Sequence, residues 1–381
     1  MIPKKVAIFT HGIEGGTFTN IGTALTRGFK ELGVSCCDLV VLNATNEEKA
    51  KYPDVNVVSL NVTRASFSLL PLVRYIRKEK PDVIFPMPWY FNVIAIWARN
   101  LSLTNTKIIV GEQNIISLEA GIEHRDKLRL KYLPVVMRYT YPYGDGIIGV
   151  AQDVITDLVK EVKVSTRIPM TVIFNPVDVS RVQQLAKEPI DHPWFQNHNV
   201  PVIVTAARLA KQKRLDILIR AFARVVDVVP AKLLILGQGP LRAELENLCK
   251  ELQIEEHVDM PGFDSNPCRF MSACDVFVLA SAWEGSPVAL AEALASGAAV
   301  IVNDAPGGSK DIIEYGKYGM MVPTGDHDAL AKSIIQVLTD TKLKSHYQEQ
   351  SLSRSQDLQA LKISKQYLDF YNSVLVSKSG N

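Results

Sequence analysis

Short apolar runs punctuate this chain, each too brief for a helix and each followed by a longer stretch of helical periodicity. In the first half they fall at residues 6–9, 83–85, 108–110, 147–150 and 172–174, and in the second at 202–205, 233–236, 276–279 and 299–302. Their branched aliphatic residues and their lack of apolar–polar alternation predict strands buried on both faces, the habit of a parallel sheet. Helical patterns cover residues 214–229, 241–252, 287–295 and 329–338. Alternation of strand and helix predicts an α/β fold of two Rossmann-like domains. Between the halves, residues 174–201 are rich in Pro, Asp and Asn, which places a boundary there. The expected division is an N-terminal domain over 1–175, a linker over 176–200, a second domain over 201–345 and a helical tail over 346–381. In that tail Leu358, Leu361, Tyr367, Leu368 and Tyr371 would be buried contacts, with the tail crossing back to the first domain.

Size and composition narrow the function classes. The 381 residues carry 42 basic and 40 acidic side chains, a net charge of +2, which gives no reason to expect nucleic acid as a partner. Hydrophobic residues at 47% and charged residues at 22% are ordinary globular values. The five cysteines, Cys36, Cys37, Cys249, Cys268 and Cys274, show no metal-ligand spacing and are expected to be reduced thiols of a cytosolic protein. Lys4 and Lys5 precede only four apolar residues before Thr10 and His11, which is no signal peptide. Residues 84–98 are apolar but contain Pro86, Pro88 and Asn92, too short and broken to span a bilayer. A soluble or peripheral protein is expected.

The chemistry concentrates in WEGSPVALAEALASG, residues 283–297. After the apolar run 276–279, Gly285 frees a turn, Ser286 suits an N-cap and Pro287 the first helical position, while Gly297 suits the helix end. The backbone N–H groups of Ser286, Pro287's neighbour Val288 and Ala289 would then face the carboxyl edge of a sheet, where a diphosphate can dock. Glu284 precedes that anion site, and Glu292 follows it by about 7.5 Å along the helix. Two acceptors flanking a phosphate cradle suit a ligand with hydroxyls on both sides of its phosphates, such as a nucleotide-sugar. The plainer alternative is a solvated loop residue and a helix-face charge.

Other segments supply complementary groups. Arg208 and Lys213 follow the run 202–205, and guanidinium and ammonium suit a departing diphosphate, with a solvated basic loop as the alternative. Gly237 and Gly239 form a turn in LLILGQGP, for which simple packing is the alternative. Gly12, Gly15 and Gly16 follow the first run without dinucleotide-fingerprint spacing. Glu112 and Asn114 follow the run 108–110 as polar groups at a strand end, for which local capping is the plainer reading. Trp89 and Tyr90 could stack on a sugar or lipid, or fill the core. Arg125, Lys127, Arg129, Lys131 and Arg138 interleave with Leu128, Leu130 and Leu133, which could rest on an anionic membrane or form a solvated helix face. Asp326, His327 and Asp328 mimic a metal-binding D-x-D but precede a helix, where aspartates cap and meet the dipole. No metal is expected.

The spacing of Glu284 and Glu292 resembles the E-x7-E signature of retaining GT-B glycosyltransferases of the family 4 type. AARLAKQK resembles that family's G-R-L-x-x-x-K element with Ala207 for glycine, Gly237–Pro240 its G-x-G-P turn, and Gly15-Gly16 its N-terminal Gly-Gly pair. Residues 141–154, the N-P-V-D at 175–178 and the stretch 303–331 extend the likeness over most of the chain. The resemblance implies two Rossmann-like domains facing across a cleft and transfer of a hexose or N-acetylhexosamine from a nucleoside-diphosphate sugar, UDP favoured. The acceptor would be a glycan or lipid-linked hydroxyl, in polysaccharide or glycolipid biosynthesis, with no cofactor. It assigns Arg208 and Lys213 to the diphosphate, Glu284 to sugar hydroxyls, Glu292 to the ribose, Gly262 and Phe263 to the nucleobase, and makes Glu112 and Asn114 acceptor-side candidates. A nucleotide-sugar epimerase of the same fold, a phosphorylase, or a non-catalytic sugar-nucleotide-binding subunit are the alternatives. No pyridoxal-binding lysine is marked.

Overall fold

The computed structural model describes residues 2–13, 16–120, 132–196 and 200–377. The chain forms two compact units, Met1–Pro176 with Gln359–Asn381, and Val177–Leu358. Among the described residues the first unit holds seven parallel strands: β1 (Lys5–Thr10), β2 (Cys36–Val41), β3 (Asn56–Ser59), β4 (Val83–Pro86), β5 (Lys107–Glu112), β6 (Gly146–Gly149) and β7 (Met170–Val172). Their spatial order is β3-β2-β1-β4-β5-β6-β7. The second unit holds six: β8 (Val202–Ala206), β9 (Lys232–Leu236), β10 (Val258–Gly262), β11 (Val276–Leu279), β12 (Val300–Asn303) and β13 (Met320–Val322), in the order β10-β9-β8-β11-β12-β13. In each sheet the order reverses beside the first strand, the switch point at which open α/β sheets bind ligands beyond the carboxyl ends of their strands.

Nine strands match the apolar runs, and the α/β class is confirmed. The four others were hidden for identifiable reasons. β2 begins Cys-Cys-Asp, and its buried Asp38 breaks the apolar run because it accepts from the Tyr75 hydroxyl at 2.6 Å and from Asn56 Nδ2 at 2.6 Å, with Lys5 Nζ 3.1 Å away. β3, β10 and β13 lie at sheet edges. They are short or, like β10, interrupted by Pro261 and Gly262, as edge strands tolerate.

The stretch expected to be a linker is folded onto the second unit. Helix Val179–Leu185 is capped by Asp178, whose side chain accepts from the Arg181 N–H. Asn266 Nδ2 donates to the Leu185 carbonyl at 2.9 Å, and the Phe195 and Phe270 rings meet edge-on at 5.5 Å. The tail divides: helix Thr341–Ser355 lies in the second unit and helix Ala360–Ser377 in the first. Tyr367 of the latter is buried with its ring 5.1 Å from Phe85 and 6.3 Å from Phe29. A Cβ at Gly28 would run into Ser364 and the Ala360 carbonyl, so glycine lets helices Thr17–Glu31 and Ala360–Ser377 touch.

All five cysteines are free and four are buried. Burial pushes the Cys37 and Cys268 thiols up to about 12, which keeps them protonated and unreactive.

Candidate active site

The densest polar cluster predicted from the sequence lies beyond the carboxyl ends of β8 and β11, which are hydrogen-bonded neighbours. The loop after β8 leads through Arg208 to a 3-10 turn, Lys211–Lys213, and the loop after β11 carries Glu284. Lys213 Nζ donates to Glu284 Oε1 at 2.5 Å, and the Ser281 hydroxyl donates to the same oxygen at 2.6 Å. Glu284 is only 6% exposed. A buried carboxylate needs such partners, because losing its hydration is costly. Charge-assisted bonds from two loops therefore hold it in one orientation. The loops are also stitched by backbone: the Ala282 N–H donates to the Gln212 carbonyl at 2.8 Å, and Gln212 Nε2 to the Trp283 carbonyl at 2.9 Å.

A third loop, after β12, closes on Glu284 from behind. The Glu284 N–H donates to the Pro306 carbonyl at 3.0 Å, and the Gly308 N–H to the Gly285 carbonyl at 2.7 Å. Gly307 has φ +111°, and any Cβ there would collide with the Glu284 backbone. Ser281, Gln212 and Gly307 were not singled out in the sequence. The Pro-Gly-Gly at 306–308 was the available signal for the last, whereas a small polar residue three before Glu284 announces nothing.

The helix beyond Glu284 is Val288–Ala295, with Pro287 rather than Ser286 in the N-cap place (φ −68°, ψ 111°) and no side-chain cap bond. Proline has no N–H to satisfy, so the turn Gly285–Ser286 is left to the loop. Ser286 is buried and Ala289 half-buried. Glu292 sits half-buried as the fifth residue of the helix, and its charge adds to burial in raising the Cys268 thiol.

Arg208 is exposed on a loop that packs against the turn after β9. The Leu209 N–H donates to the Gln238 carbonyl at 3.0 Å, and the Leu241 N–H to the Leu209 carbonyl at 3.1 Å. Gly237 and Gly239 make that approach feasible, since a Cβ on either would strike the carbonyl of Ala207 or of Leu209. The turn thus packs the arginine loop. The Gly262 carbonyl accepts from the Gly237 N–H at 2.7 Å, and Phe263 beside it is 68% exposed, an unusual place for a phenyl ring.

In the first unit, Gly16 caps helix Thr17–Glu31 with φ +94° and open space around its Cα. Gly15 lies outside the described residues, as do Arg125, Lys127, Leu128, Arg129, Leu130 and Lys131. Glu112 ends β5 fully buried. It accepts from the Tyr141 hydroxyl at 2.6 Å and from the Gln113 N–H at 3.2 Å, and Asn92 Nδ2 donates to that same hydroxyl at 3.0 Å. Burial pushes its pKa up to about 8 although these bonds pull the other way. Asn114 serves locally, accepting from the Ile115 N–H at 3.0 Å and donating to Glu119 at 3.2 Å. Asp326 accepts from the Ala329 N–H at 2.9 Å as the N-cap of helix His327–Thr339, which accounts for the D-x-D mimic.

With this geometry in view, comparison with known proteins is decisive. Residues 187–354 match the family model described as glycosyl transferases group 1. The chain is 30% identical over 279 residues to the N-acetylgalactosamine-N,N'-diacetylbacillosaminyl-diphospho-undecaprenol 4-alpha-N-acetylgalactosaminyltransferase of Campylobacter jejuni, covering 73% of each protein. The chain belongs to the group 1 glycosyltransferases. Among solved structures, this group 1 glycosyltransferase is similar to the sucrose-phosphate synthase of Thermosynechococcus elongatus, with a TM-score of 0.78 and 17% identity over 98% of this chain and 100% of that one. It is also similar to HepE of Anabaena in complex with UDP-glucose, with a TM-score of 0.75 and 19% identity over 97% of this chain and 99% of that one. Both likenesses establish the GT-B fold. The protein is a glycosyltransferase of polysaccharide or glycolipid biosynthesis, and among its described residues no helix is long and apolar enough to cross a membrane.

Proposed function

We propose that the enzyme transfers a hexose or N-acetylhexosamine, with retention, from a UDP-sugar to a hydroxyl of a lipid-linked or glycan acceptor. The observation that carries this reading is the pair of half-buried Lys213 and buried Glu284 on adjoining loops at the carboxyl edge of the second sheet. Lysine has three N–H donors, so one can hold Glu284 while others meet a phosphate. With Arg208 and the N–H groups of Ser286, Val288 and Ala289, it would stabilise the charge growing on the departing diphosphate. Glu284, fixed by Lys213 and Ser281, would accept from sugar hydroxyls, and Glu292 from the ribose. Gly262 and the exposed Phe263 would meet the base. Support for UDP and for an N-acetylhexosamine comes from relatives: HepE binds UDP-glucose, and the Campylobacter enzyme transfers N-acetylgalactosamine to a diphospho-undecaprenol-linked sugar. Glu112 and Asn114, at and just beyond the end of β5, would lie on the acceptor side, where Glu112, neutral at pH 7 by virtue of its burial, would hold the Tyr141 hydroxyl in place. No metal or cofactor enters the scheme.

A thermal-shift screen against UDP, GDP, ADP and TDP, with and without magnesium, tests the donor assignment, because a ligand bound only by the native state raises the melting temperature. A single metal-independent stabiliser, UDP, is the expected result. No shift with any nucleotide would discard the donor site. Within the site, Glu292→Ala should weaken nucleotide binding about tenfold and Glu284→Ala should cut turnover more, about a hundredfold. Equal effects on both parameters would reject the division of roles.

A further inference from the structure

Helix Thr341–Ser355 supplies no residue to the donor site, yet one of its faces holds the ends of the two helices that frame Glu284. Ser351 is fully buried, and its hydroxyl donates to the Ala298 carbonyl at 2.7 Å, just past the end of helix Val288–Ala295. Arg354, one turn on and only 7% exposed, reaches helix Gly308–Ile312. Its Nε donates to the Ile312 carbonyl at 2.7 Å and its Nη2 to the Asp311 carbonyl at 3.3 Å. Carbonyls at a helix end have no partner within the helix, and the guanidinium fork can serve two of them at once. Nη1 of the same group donates to Glu314 at 2.9 Å and to Asp357 at 3.3 Å, and the Tyr318 ring lies 5.3 Å away.

The other end of helix Gly308–Ile312 is the clamp on Glu284. The Gly308 N–H donates to the Gly285 carbonyl at 2.7 Å, and the Pro306 carbonyl accepts from the Glu284 N–H at 3.0 Å. From Gly308 to Ile312 the helix rises about 6 Å. The Arg354 guanidinium and the Glu284 backbone are thus fixed to opposite ends of one short strut. The turn that follows the strut is strained: Glu314 and Tyr315 have φ of 45° and 53°, a region that side chains rarely adopt. Such a turn persists where its surroundings over-determine it, and Arg354 holds it at Ile312 and again at Glu314. We propose that Arg354 is a positioning residue for sugar transfer, holding this strut so that its amino end keeps Glu284 aimed at the donor sugar. The proposal rests on the role given to Glu284 above. A shift of a reacting group by about an ångström can cost about a hundredfold in rate, while nucleotide affinity is set by other groups.

A double-mutant cycle between Arg354→Lys and Glu284→Ala tests it. The readout is kcat and KM for release of UDP from UDP-N-acetylgalactosamine or UDP-glucose, whichever the wild type turns over faster. Lysine keeps the charge but cannot fork onto two carbonyls and Glu314 together. Arg354→Lys alone should lower kcat about tenfold, with KM within about twofold. Placed in Glu284→Ala it should cost less than about twofold more, because the group it positions is gone. Amide exchange at Glu284 and Gly308 should quicken about tenfold while β8 and β11 keep their rates, a pattern that a general loss of stability does not produce. Losses that multiply in the double variant, or a folded Arg354→Lys protein with wild-type kcat, would overturn the proposal and leave the donor-site reading standing. Wild-type kcat in Glu284→Ala would overturn that reading and this proposal with it. Should Arg354→Lys fail to fold, Glu314→Gln loosens the same anchor from its exposed side and takes its place in the cycle. About a threefold loss of kcat is then expected with Glu284 present and none in Glu284→Ala.

Discussion

Two buried glutamates occupy comparable places in the two sheets and live in opposite surroundings. Glu284 follows β11 and meets an ammonium at 2.5 Å, a serine hydroxyl and a backbone clamp from the β12 loop. Glu112 ends β5 and meets a tyrosine hydroxyl and a backbone N–H, with burial raising its pKa to about 8. The first is built to present a carboxylate, the second to hold a neutral acid at pH 7. Identical side chains on similar strand ends are thus set to different chemistry by what the neighbouring loop supplies.

The comparison breaks most readily at Lys213. Lys213→Ala leaves Glu284 in the interior without its cation, which should cost on the order of 3 kcal/mol of stability and cut transfer about a hundredfold or more. Chemical denaturation with steady-state kinetics measures both, and a variant that keeps full activity would show that the pair is merely structural. Next is Gly307→Ala, whose methyl group must displace the Glu284 backbone from a position with φ +111°. A loss of about 2 kcal/mol or more, with turnover reduced at least tenfold, is expected in the same assays. Unchanged kinetics would mean that the β12 loop does not position Glu284.

Glu112→Gln sharpens the other half. Glu112 binds its proton more tightly folded than unfolded, its pKa moving from 4.5 to about 8. Its contribution to stability is therefore fully present below about pH 4.5 and is lost as pH rises through about 8. Glutamine has no proton to lose, so the wild-type melting temperature should fall relative to Glu112→Gln by on the order of 5 °C between pH 5 and pH 8. A difference independent of pH would show that Glu112 is ionised throughout. The smallest effect belongs to Asn114→Ala, which removes a local turn bond worth about 1 kcal/mol and should leave transfer within about twofold. A tenfold loss would instead make Asn114 an acceptor-binding residue.

What could be read in advance follows from how locally each feature is encoded. The nine buried strands announced themselves because both faces of a parallel sheet must be apolar, so their runs are uninterrupted. β2 did not, because Asp38 belongs to a network with Tyr75, Asn56 and Lys5, residues 18 to 37 positions away in the chain. Lys213 and Glu284, which meet in the fold, each stand out in the sequence by following an apolar run. Ser281 and Gly307 do not, since their importance is a matter of which loops meet, and that is decided by the pairing of β11 with β8 and with β12. The aspartates at 326 and 328 show the same lesson in reverse, a motif in composition of which local geometry spends Asp326 on capping a helix and Asp328 on an ion pair with Arg224.

The return of helix Ala360–Ser377 to the first unit bears on the order in which the protein is made. Phe29 and Phe85 are synthesised early, but Tyr367, which covers both rings, emerges some 280 residues after Phe85. The second unit has all its strands by residue 322, and the last of its helices by Ser355. On the ribosome, then, the first unit stays open until a segment made after the whole inserted unit has emerged, while the inserted unit can finish first. A chain stopped before residue 360 would carry a complete second unit beside a first unit with an uncovered aromatic face.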